Sequence, residues 1–270
     1  MIHISHDASS GSDVLAAAFG EEPDRWPLPA PTTPHQQWLR AIAAAGQGRY
    51  GSAYADLAAL SRTVPSGPLV SLAHSAHASF LRQLGWHALA RGWDGRAWAL
   101  AGDDPEAVGD ALTGLAADAL GVGRLGAAAT LLARAEPFVA DGPPRLAVRR
   151  AWVAAELAMA GGQGDVAVRN AEVAVELAAT TLDGAARHRA KSEVVLAAAL
   201  CSAGALERAR DVADAALELT GRLGLMPLRW ALACLLADIA GTEERAAQLR
   251  VLRDDCASRI EHRGGSWRRP

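Results

Sequence analysis

The chain has 270 residues, half of them hydrophobic and only 5% aromatic, so alanine supplies most of the apolar surface, as closely packed helices require. A formal net charge of −3 excludes a basic footprint for nucleic acid along the chain as a whole. No window approaches the roughly eighteen uninterrupted apolar residues of a membrane-spanning helix, and no run of alternating Val, Ile and Thr argues for a sheet.

In chain order, residues 1–35 hold the small polar run Ser9–Ser12 and the prolines Pro23, Pro27, Pro29, Pro31 and Pro34. This composition predicts a flexible leader, mobile or extended, with Trp26 as its candidate docking point. Order is expected from Gln36. From there a glycine followed five residues later by an alanine recurs between helical runs, at Gly48 and Ala53, Gly85 and Ala90, and Gly123 and Ala128. It continues at Gly162 and Ala167, Gly204 and Ala209, and Gly241 and Ala246. A small residue stands seven positions before each glycine, namely Ala41, Ala78, Ala116, Ala155, Ala197 and Cys234. Read physically, each glycine ends the first helix of a hairpin, and the two small positions are where its helices cross closely. One hairpin cannot bury its own apolar face, so about six must stack into a continuous core.

The clearest copy is Lys191 to Leu219, where Leu196 and Leu200 line the first helix and Leu206, Ala209, Ala213, Ala216 and Leu217 line the second. The closing stretch is locally basic, through Arg263, Arg268 and Arg269, and residues 264–270 are expected to be disordered. The apolar run from Leu228 needs a cap. The helix after Thr242 can supply it, and otherwise a homodimer through that end is expected.

With these residues in place, the pattern resembles the tetratricopeptide repeat family, in a degenerate form like that of bacterial proteins. Tyr50, Ala53, Leu57 and Pro65 match its signature well, whereas the aromatic position is His87, Leu125, Gly164, Leu206 and Glu243 in later repeats. The resemblance covers residues 36–263 and implies a right-handed superhelical array, an α-solenoid, of about six antiparallel helix hairpins. It also implies that first helices line a concave groove, with Trp38, Arg149, Trp152, Glu156 and Lys191 pointing into it. Arg149 and Lys191 share one register position and would form a cationic rung beside Trp152, suited to an acidic peptide. Ser75, Ser79, Thr113 and Ala117 stand where chaperone-binding members carry their polar clamp, so chaperone tails are not the expected ligands.

Catalytic signatures are missing from the sequence: no His-E-x-x-His, G-x-S-x-G or glycine-rich phosphate loop is present. His74, His77 and His87 can be drawn as a metal site, but the first two fall at inward packing positions, where a core imidazole is the commoner outcome. Asp103 and Asp104 before Pro105 read as a helix start with Asp104 as the cap. Trp98 falls off the apolar face shared by Trp86 and Trp93 and is a candidate exposed anchor. Cys201, Cys234 and Cys256 lie far apart without a C-x-x-C pair, and the N-terminus lacks a secretory pattern, so reduced thiols in the cytoplasm are expected. The expectation is therefore a non-enzymatic protein-interaction module with no metal, cofactor, nucleic acid or membrane, binding a partner protein or peptide, an acidic one by this groove chemistry. The alternative is a ligand-sensing or scaffold component of a bacterial transcriptional regulatory system.

Overall fold

The computed structural model describes residues 5–268, and among them regular structure is helical throughout. Helix α1 (Ser5–Phe19) precedes six antiparallel hairpins. These are α2 (Pro34–Gly46) with α3 (Tyr50–Thr63), α4 (Pro68–Gln83) with α5 (His87–Leu100), and α6 (Pro105–Gly121) with α7 (Leu125–Asp141). They continue as α8 (Arg145–Ala160) with α9 (Gly164–Thr180), α10 (Ala186–Ser202) with α11 (Leu206–Arg222), and α12 (Met226–Asp238) with α13 (Glu243–His262). No described helix is long and apolar enough to cross a membrane.

Five of the six turns are built alike. Gly48, Gly85, Gly123, Gly162 and Gly204 adopt φ between 69° and 88°, the left-handed region that only glycine enters without strain. The following N–H then reaches back to close the first helix, as from Arg49 to the Ala44 carbonyl (2.9 Å) and from Gln163 to that of Ala158 (2.9 Å). The sixth differs. Gly241 is outside the left-handed region, and α13 is started instead by Thr242, whose Oγ1 accepts from Arg245 N–H at 3.2 Å. Asp104 caps α6 in the same way, accepting from Ala107 N–H at 2.8 Å.

Inside the first five hairpins the small pairs are buried as the spacing requires. Ala41 and Ala53, Ala78 and Ala90, Ala116 and Ala128, Ala155 and Ala167, and Ala197 and Ala209 are all 0% exposed. In the sixth, Ala246 is buried while Cys234 is only partly so. α13 covers the apolar run of α12, with Leu249 packed in one cluster with Leu232 and Leu236. The surface that suggested a homodimer is therefore covered by the chain itself.

Both ends of the chain depart from expectation. Where a mobile leader was expected, α1 packs on α2 and buries Val14, Ala17 and Ala18. Its apolar run Val14–Phe19 was masked in the sequence by the surrounding serines and prolines. The proline segment after it is pinned through its carbonyls, which lack partners of their own: Gln47 Nε2 donates to Pro23 O and Arg25 O, both at 2.9 Å, and Arg40 Nη1 to Pro29 O at 3.1 Å. Trp26 does dock, under the Arg49 guanidinium at 3.9 Å.

The tail, expected to be disordered, is held as far as Arg268; Arg269 and Pro270 lie outside the described residues. Trp86 Nε1 donates to Ser266 O (2.6 Å), Arg268 N to Leu84 O (2.9 Å), and Trp267 packs on Trp230 with ring centroids 4.3 Å apart. Arg263 Nη1 donates to Gln47 O at 2.9 Å, and Gly48 abuts Ile260 and Met226. The last hairpin thus touches the first, and the array closes into a ring.

Candidate functional site

Ring closure turns the concave face into a central cavity of about 360 Å³, walled by α4, α6, α8, α10 and α12. Four of the five residues expected in the groove line it: Arg149, Trp152 and Glu156 from α8, and Lys191 from α10. Lys191 Nζ lies 3.4 Å from Glu156 Oε1 and 6.0 Å from the centre of the Trp152 ring. Trp152 is fixed from behind, since Nε1 donates to Ser192 Oγ (2.9 Å), which in turn donates to Ala174 O (3.1 Å). Arg149 Nε lies 3.1 Å from Asp110 Oδ1.

Trp38 is not in this cavity. It is 4% exposed, packed against Phe19 at 5.5 Å and His35 at 5.6 Å between ring centroids, because the unforeseen α1 covers it. It borders a second, more open cavity of about 340 Å³ between α1 and the loop before α8.

The cavity wall also carries groups the sequence reading missed. Arg187 and His188 line it. Both could have been found by stepping back four and three residues from Lys191 along the same helix face. Arg82 lines it as well, and so does His87, which the sequence offered as a metal candidate. Arg82 Nη1 bridges two fully buried carboxylates, donating to Asp94 Oδ2 and to Asp118 Oδ1 (3.0 Å). Burial raises the Asp94 carboxyl above its usual range against the opposing pull of Arg82, with Asp118 adding to the rise. Arg145 is bound to Glu106 (2.6 Å) and Asp110 (2.8 Å). Asp110 is held below its usual range because the nearby Arg145 and Arg149 outweigh its burial.

The three histidines do not converge. His77 stacks on Trp93 with centroids 3.8 Å apart, and His74 lies 5.1 Å from the same ring. Burial, with His74 alongside, lowers His77 to about 4. His87 instead sits over Gly121 at the cavity. No group of three metal-ligating side chains occurs among the described residues. Trp98 is 42% exposed, with the Arg134 guanidinium 4.8 Å from its ring centre.

No protein-family model and no curated protein sequence matches the chain. Among solved structures it is similar to a Podosopora anserina putative kinesin light chain with nearly identical TPR-like repeats, at 18% identity and a TM-score of 0.45. It is likewise similar to a substituted form of that protein, at 19% identity and a TM-score of 0.46. Each alignment covers 70% of this chain and 95% of the other. With six stacked antiparallel hairpins, glycine turns and small-residue crossings at a repeating offset, the chain is an α-solenoid of helix hairpins.

Proposed function

We propose that this protein is a non-catalytic, cytoplasmic binding module whose concave face engages an acidic group of a partner protein. Solenoids present extended concave surfaces that serve binding. The observation that carries the reading is the convergence of Arg149, Trp152, Glu156 and Lys191, from two successive hairpins, on one wall. Lys191 holds Glu156 only at 3.4 Å, longer than the roughly 2.7–2.9 Å of a strong charged hydrogen bond, so a partner carboxylate can compete for it.

The test is affinity capture with the wild-type chain and with Lys191→Glu and Arg149→Gln variants whose circular dichroism is unchanged. A partner held by the wild type and bound at least about tenfold more weakly by Lys191→Glu is the expected result. Equal retention by both variants removes the wall from the interface.

A second reading, a ligand-sensing component of a regulatory system, is favoured by the enclosure itself. A walled space of about 360 Å³ is within the roughly 300–1,000 Å³ range of small-molecule sites.

A further inference from the structure

Arg187 and Lys191 stand one turn apart on α10, both at the cavity, but their electrostatic situations differ. Lys191 has Glu156; Arg187 enters no ion pair among the described residues. Its one polar contact among the described residues is Nη1 to the Ile42 carbonyl at 3.5 Å, the outer limit of a hydrogen bond. Its charged neighbours are Arg149 and Arg145, whose carboxylates are Asp110 and Glu106. Three guanidiniums thus face two carboxylates, and one positive charge is left over. Burial, with Arg149 and Arg145 nearby, lowers Arg187 to about 10, which leaves it charged at neutral pH. Arg187 is partly withdrawn from water, and a charge so placed without a counter-ion is costly, so the site favours an anion.

Hydrogen-bonding capacity is also unspent there. His188 is 3% exposed and lines the cavity, yet its Nδ1 has no partner among the described residues. Burial, together with Arg187, Arg145 and Arg149, holds this imidazole neutral, so it can act as a donor or an acceptor. Thr113 Oγ1, in a residue 2% exposed on α6, also lines the cavity without a partner. The remaining wall includes Val153, Leu225, Leu228 and Leu120, which offer nothing to the outer oxygens of a phosphate but suit an apolar body.

We propose that the central cavity is a binding site for a small monoanionic organic acid, whose carboxylate docks on Arg187 and whose apolar body lies along Leu228 and Val153. His188 and Thr113 supply further hydrogen bonds, and the planar guanidinium can grip the carboxylate through two parallel N–H groups. The site rests on the ligand-sensing reading above and is independent of the partner-protein one.

The experiment uses the full chain with 3-phenylpropionate, its neutral amide 3-phenylpropionamide, and inorganic phosphate as probes, read by calorimetric titration and by Tm. The acid is expected to bind and raise Tm, with the amide and phosphate at least about tenfold weaker. Arg187→Gln, which removes the unpaired charge, is expected to keep or raise Tm without ligand and to lose acid binding at least about tenfold, with Arg187→Lys in between. Amide binding as tight as acid binding would overturn the anion site while leaving a ligand cavity in place. Phosphate binding as tightly as the acid would overturn the organic body. Absence of binding by all three probes, or undiminished acid binding to folded Arg187→Gln, would overturn the proposal, the former together with the ligand-sensing reading.

Discussion

The crossings inside the hairpins and the acids behind the cavity wall are equally buried but made of opposite materials. At the crossings, pairs such as Ala155 and Ala167 are 0% exposed and put no polar atom into the contact. On the wall and just behind it, Asp94 and Asp118 are equally inaccessible but carry carboxylates, held by Arg82. A crossing works by fitting two backbones closely, and each hairpin repeats the solution within its own short stretch of chain. The wall works by compensating charge among α4, α5, α6, α8 and α10, and no two hairpins repeat it. Uniformity resides in the crossings, while chemical individuality resides in the wall.

The sharpest way to break this contrast is at Arg82. Arg82→Ala strands Asp94 and Asp118 in the interior and is expected to cost about 3–5 kcal/mol, read as a lowered urea midpoint. A cost below about 1 kcal/mol would show that the wall charges are solvated and that the contrast fails. Next comes a crossing: Ala155→Leu forces a larger side chain between α8 and α9, with an expected loss of about 1–3 kcal/mol in the same measurement. The smallest effects lie at the turns. Gly162→Ala meets no neighbouring atom but must hold φ near 69°, for a loss of about 1 kcal/mol. Gly241→Ala, equally unobstructed but outside the left-handed region, is expected to change stability by less than about 0.5 kcal/mol. Equal losses at the two glycines would contradict the distinct construction of the sixth turn.

The sixth turn also marks the edge of what the sequence pattern could convey. Gly241 fits the repeat spacing, yet its hairpin is started by the Thr242 cap, a local signal that outweighs the glycine. At the site, Arg149, Trp152, Glu156 and Lys191 were accessible to a repeat register because first helices face inward in every copy. Trp38 occupies the matching face of the first repeat but is sealed by α1, an element outside the repeat that the Pro-rich composition concealed. Arg187 was open to the same register argument, but its lack of a counter-ion is a property of the assembled ring and of no single helix.

The sequence alone determined the all-helical class, the hairpins, five glycine turns and the alanine crossings, because each is decided within a few helical turns by sterics and capping. Only the tertiary structure decided that the solenoid closes. Closure depends on Trp86 with Ser266, Gln47 with Arg263 and Arg187 near Ile42, pairs separated by 180, 216 and 145 residues. Such contacts are set by the small rotation accumulated over successive hairpins, which no local pattern encodes, and that rotation brings the ends together around an unpaired arginine.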